Sequence, residues 1–83
     1  MNRYEAKNMK NHRFDYTVKG IVIGYTAPIG FGIFDNEVGK FVALSSASDN
    51  QPTVYKKKST VKIIVDAFNT VGPSGEIFYA NEK

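Results

Sequence analysis

Three features of this 83-residue chain predict an all-β fold. Short apolar runs rich in Val, Ile and Phe recur between residues 17 and 80. Turn formers separate them: Pro28 with Gly30, Asp35-Asn36-Glu37 with Gly39, and Gly72-Pro73-Ser74-Gly75. Within several runs apolar and polar residues alternate, which is the period of a strand.

The elements follow in order. Residues 1–16 are polar, with Arg3, Lys7, Lys10 and Arg13 set among asparagines. Tyr4, Met9 and Phe14 keep no regular period, so the stretch reads as a loose N-terminal arm or a short frayed helix. A basic arm of this kind can hold a phosphate backbone. Thr17–Tyr25 is the first predicted strand, with Gly20 and Gly24 marking sharp coiling or a bulge. Residues 26–30 turn the chain. Phe31–Asp35 is the second strand, the Asp35–Gly39 signal a tight hairpin, and Lys40–Leu44 the third strand. Residues 45–58 hold loop and cap formers, with a short helical turn near Pro52–Tyr55 and Tyr55 anchoring the connection to the rest of the fold. Ser59–Phe68 is the fourth strand, because Val61, Ile63 and Val65 alternate with Lys62, Ile64 and Asp66. Glu76–Ala80 is the fifth. A meander of three, a longer crossover and a terminal hairpin make the order of a five-stranded antiparallel Greek-key barrel, the OB-fold, over residues 17–83, with an SH3-like barrel as its rival.

Composition bounds the function. Eleven Lys and Arg against eight Asp and Glu leave a net charge of +3, compatible with nucleic acid. No cysteine is present, which removes disulfides and thiolate metal sites and suits the cytoplasm. No apolar run approaches the ~20 residues of a membrane helix, and the first ten residues lack the apolar core of a signal peptide, so a soluble cytoplasmic protein without membrane contact is expected. His12 is the only histidine, the serines have no evident base beside them, and Gly30-Phe31-Gly32 is followed by no Lys-Ser/Thr step, so neither an enzyme nor a cofactor is expected.

Two residue classes carry the expected binding. Exposed rings can stack on bases without sequence preference. Phe31 is the best candidate, with Phe34, Phe41 and Tyr25 near it in the meander. Alternation puts Phe31 and Ile33 on one side of their strand and Phe34 on the other. Lys19, Lys40, Lys62 and Lys56 could track phosphates, although lysines at strand edges also serve to block aggregation. The expected partner is single-stranded RNA or DNA. A protein partner or homo-oligomer is the alternative, with Ile33, Phe41 and Ala43 as an apolar contact patch.

The runs Lys19-Gly20-Ile21-Val22, Gly30-Phe31-Gly32-Ile33-Phe34 and Lys40 to Ser45, followed by Tyr55 to Val65, resemble the RNA-binding domain repeated in bacterial ribosomal protein S-one. Gly30-Phe31-Gly32 and Phe41-Val42 are also similar to the cold-shock domain. The resemblance spans roughly residues 18–80 and implies an OB-fold that binds single-stranded RNA. It puts the two stacking rings of that family at Phe31 and Phe34, and its polar residue at the end of the fourth strand near Asn69. The histidine of its third strand falls at Ala43 and is absent. The basic residue of its fifth strand falls near Glu76, with reversed charge.

Overall fold

The computed structural model describes residues 2–26, 28–43 and 52–82. Strands dominate. The order is β1 (Tyr4–Asn8), β2 (Phe14–Val18), β3 (Ile21–Thr26), β4 (Phe31–Asp35), β5 (Lys40–Ala43), α1 (Lys58–Thr70) and β6 (Phe78–Tyr79). All strand pairs are antiparallel. Four strands make an open sheet in the order β1-β4-β5-β6, while β2 and β3 form a separate hairpin. The expectation of antiparallel β structure therefore holds, but the described residues form an open sheet with one helix rather than a closed five-stranded barrel.

The second predicted strand coincides with β4, and the hairpin after it closes as expected. Gly39 takes φ +80 and donates its N–H to the Asp35 carbonyl at 2.7 Å. The third predicted strand begins at Lys40 as expected, and Leu44 lies outside the described residues with residues 45–51. The first predicted strand is two strands. Lys19 and Gly20 both take positive φ, 51 and 81, the backbone of a two-residue I′ turn that reverses the chain inside the run. One extra residue in β3, at Ile23, makes a bulge opposite Tyr16 and Thr17.

Two corrections are larger. Residues 2–16 are not a loose arm. Tyr4–Asn8 pairs along the full length of β4, and Tyr4, Met9 and Phe14 are all buried. The three apolar residues without a period are anchors for a strand, a turn and a second strand. Residues 59–68 are helical rather than a fourth strand. Val61, Ile64, Val65 and Phe68 follow the i, i+3, i+4, i+7 spacing and face the sheet, burying Val61 and Val65. Only Ile63, 72% exposed, belonged to the strand pattern alone. The helix closes at Val71, whose N–H reaches the Ala67 carbonyl at 2.9 Å, and Gly72 follows at φ +88 as the left-handed terminator.

The sheet divides the apolar residues into two clusters. On the helix side lie Tyr4, Ile33, Val42, Val61 and Val65, with Phe31, Tyr55, Phe68 and Tyr79 against them. On the other side Met9, Phe14, Phe41 and Ala80 close over Phe34. Gly32 faces this second cluster, where a Cβ would meet the Met9 methyl and approach the Phe41 ring at 3.0 Å. A side chain there would have to displace the end of the Met9 side chain and shift the Phe41 ring, so glycine leaves these two to pack over the strand.

The end of β4 carries the one buried carboxylate among the described residues, Asp35. Arg3 donates Nε and Nη2 to its two oxygens at 3.2 and 3.1 Å, Tyr79 Oη donates at 2.6 Å, and the N–H groups of Glu37 and Val38 donate at 3.0 and 3.3 Å. Burial alone would push the carboxyl up, but these donors outweigh it and hold it below the ordinary carboxylate range. One side chain thus ties β1, the β4–β5 turn and β6 together.

Candidate nucleic-acid interface

At the opposite end of β4 an apolar cleft of about 800 Å³ opens beside Phe31. Its lining brings together Asn8, Lys10, Asn11, Arg13, Pro28, Ile29, Gly30, Phe31 and Lys56, three cations with no carboxylate.

Each wall has a local cause. The Asn8–Arg13 loop is folded by its own sequence: Asn8 Oδ1 accepts from the Lys10 N–H at 2.8 Å, and the Met9 carbonyl accepts from Asn11 and His12 at 3.1 and 3.0 Å. Buried Met9 and Phe14 hold its two ends down, and the Met9 N–H bonds the Gly30 carbonyl at 3.0 Å. His12 sits edge-on to Phe41 with its Nδ1 2.7 Å from Glu82 Oε2. The loop is therefore pinned on both sides, and Lys10 and Arg13 stand at the mouth.

The second wall is Lys56, placed by its neighbour Tyr55. The backbones of Phe31 and Tyr55 exchange two hydrogen bonds, each 2.8 Å, so the connection before α1 is fastened to the start of β4 by an isolated bridge. Tyr55 anchors the connection, as expected, through its backbone as well as its ring. Desolvation of that ring raises its phenol above the ordinary value. The third wall is the β3–β4 turn, where Ile29 is 93% exposed.

Of the nine residues expected to bind, two meet here: Phe31, half-buried against the helix-side cluster, and Lys56. Phe34 lies across the sheet from Phe31, as alternation requires, and its ring already holds the Lys7 ammonium 4.0 Å from its centroid. Phe41 has no exposed surface and packs against Phe14, Phe34 and His12, so it is a core ring rather than a stacking platform. The Tyr25 side chain lies outside the described residues. Lys19 occupies the β2–β3 turn, Lys40 the start of β5, and Lys62 the helix, so these lysines stand apart from the cleft. Asn69 is structural: its Nδ2 donates to the Tyr4 carbonyl and its Oδ1 accepts from the Tyr4 N–H, both at 3.0 Å, which pairs the outer edge of β1. The apolar patch expected for a partner is also internal, since Ile33, Phe41 and Ala43 are all buried.

Lys10, Arg13 and Asn11 were the residues missed as parts of this cleft, because a basic stretch without a period reads as an arm. The signal for it was local: an asparagine two residues before Lys10 can fold the loop back by its side chain.

No family model, curated protein or solved structure matches the chain.

Proposed function

We propose that this chain is a small nucleic-acid-binding module that takes single-stranded RNA, in preference to DNA, with little sequence specificity. The observation that carries the reading is the cleft itself, where one aromatic ring and an exposed Ile29 lie within a rim of Lys10, Arg13 and Lys56 free of acidic groups. A base stacks on Phe31, and the three cations hold the flanking phosphates. The amides of Asn8 and Asn11 can reach a ribose 2′-hydroxyl, the group by which RNA is told from DNA. The resemblance to S-one domains supports the same ring, Phe31, as the stacking position.

The reading is of a binding module and assigns no catalytic step. Three phosphate contacts imply a salt dependence of log K against log salt with a slope of about −2, from ~0.7 per contact on a single strand. Fluorescence titrations of a short labelled oligoribonucleotide at several salt concentrations test this. A flat dependence opposes the proposal. The exposed apolar end of the β2–β3 hairpin favours a second, compatible reading, a self-association module.

A further inference from the structure

A second groove, of about 290 Å³, opens between β1 and α1. Lys58 and Lys62 line it from the helix, and Tyr4 and Ala6 from the strand. It continues the cleft. Ala6 stands two residues before Asn8 on the helix-side face of β1, and Lys58 stands two residues after Lys56, while Asn8 and Lys56 belong to the cleft. Both walls of one hollow thus run on into the other.

The strand offers a donor along this path. The Arg3 carbonyl accepts from Asn36 and the Met9 N–H donates to Gly30, so the odd positions of β1 bond to β4 and the N–H groups of Tyr4 and Ala6 turn outward. Asn69 takes that of Tyr4, and that of Ala6 is left toward the groove. The helix offers cations. Lys58 and Lys62 are exposed, one turn apart, and make no ion pair among the described residues. Two carboxylates border the groove without closing it to an anion. Glu5 pairs with Phe34 and belongs with it to the opposite face of the sheet. Asp66 lies one turn past Lys62, at the end away from the cleft.

We infer that a single strand of RNA seated in the cleft continues into this groove, where Lys58 and Lys62 hold its next phosphates and the Ala6 N–H donates to one of its oxygens. The inference rests on the cleft binding RNA. Size, edge and charge select the occupant. The groove falls short of the ~300–1,000 Å³ that encloses a separate small ligand. A peptide strand adding to β1 would be stopped at Tyr4, whose outward groups Asn69 already fills. The two lysines stand where a phosphate chain would leave the cleft, and Asp66 ends the track beyond them.

Fluorescence titration of the full chain with labelled oligouridylates of about three and about eight nucleotides tests the inference. The short strand fills the cleft alone, so its binding reports the cleft reading by itself. The double variant Lys58→Gln, Lys62→Gln keeps good helix formers at exposed positions and should leave the short strand's affinity unchanged. On the long strand it should lose about tenfold at ~0.1 M salt and flatten the slope of log K against log salt by about 1.4, from two contacts of ~0.7 each. Comparing proteins on one oligonucleotide cancels the extra registers of the longer strand. Lys19→Gln with Lys40→Gln removes the same charge outside both hollows and should change neither affinity. A Lys58, Lys62 variant that binds the long strand as tightly as wild type overturns the inference, and so does a Lys19, Lys40 variant that loses as much. In both cases wild-type binding of the short strand leaves the cleft reading standing. A wild type that fails to bind the short strand at low salt overturns both.

Discussion

The backbones of Phe31 and Tyr55 exchange two hydrogen bonds of 2.8 Å, and this bridge sets an aromatic ring and the Lys56 cation on adjoining walls of one cleft. Twenty-odd residues of chain separate the two, so the proximity is made by the pairing and not by sequence neighbourhood.

Gly30 is the residue that permits this bridge. It takes φ +149, and a Cβ there would stand 2.6 Å from the Tyr55 carbonyl oxygen and 2.8 Å from a Val54 methyl. A backbone carbonyl cannot move aside as a side-chain end can. Gly30→Ala should therefore cost at least ~2 kcal/mol in chemical denaturation and should weaken oligonucleotide binding with it.

Asn69 holds the outer edge of β1 through both polar atoms of its amide. Asn69→Ala leaves the Tyr4 N–H and carbonyl without these partners and should destabilise the fold by about 2 kcal/mol. Oligonucleotide affinity, measured where the variant is folded, should be unchanged. That outcome separates its structural role from the binding role that the S-one resemblance implies for it.

Asp35 and Tyr79 make stability depend on pH at both extremes. The Asp35 carboxyl is held below its ordinary value, so its contribution is complete above the unfolded carboxyl pKa of ~4 and is lost as pH falls below that. Burial first, and then donation to Asp35, push the Tyr79 phenol up to about 12. Its contribution is complete below the unfolded value of ~10 and is lost as pH rises toward the folded one. Asp35→Asn should cost about 3 kcal/mol and flatten the acid limb, and Tyr79→Phe should cost about 2 kcal/mol and flatten the alkaline limb. Thermal melts between pH 2 and pH 12, taken as roughly the limits set by these two groups, read both.

The helix begins without help from its own sequence. Lys57 sits at the N-cap in an extended conformation and makes no side-chain cap, and the first turn carries no acidic residue. Lys57→Ser should stabilise the chain by about 1 kcal/mol, read as a higher denaturation midpoint. Lys57 does not line the cleft, so affinity should change little.

The β4–β5 hairpin was legible because its turn residues and strand alternation agree. The division of Phe31 from Phe34 across the sheet was legible for the same reason. Residues 59–68 satisfied two periods at once: Val61 and Val65 are spaced for a strand and for a helix, and Ile64 with Phe68 completed the helical face. Packing against β1 and β4 decided between them. The strand β1 was not legible, since Tyr4 and Ala6 face the helix while Glu5 and Lys7 face away, a half-buried edge with little apolar signal. With that strand unseen, Lys10 and Arg13 had no fixed place, and the cleft they rim could not be assembled from sequence. Phe41 was read as a binding candidate because a ring on a strand looks the same whether it faces solvent or, as here, Met9 and Phe14.

The central claim is that Phe31 and its cationic rim bind single-stranded RNA. Its most direct test is a heteronuclear NMR titration at low salt with a short oligoribonucleotide, on wild type, on Phe31→Leu and on the triple variant Lys10→Gln, Arg13→Gln, Lys56→Gln. Shifts should centre on residues 8–13, 28–31 and 56. Phe31→Leu should lose roughly tenfold in affinity, within the ~1–3 kcal/mol of one base stack, and the triple variant should lose most of the salt dependence. Wild-type shifts absent from the cleft at low salt, or Phe31→Leu binding as tightly as wild type, would contradict the account.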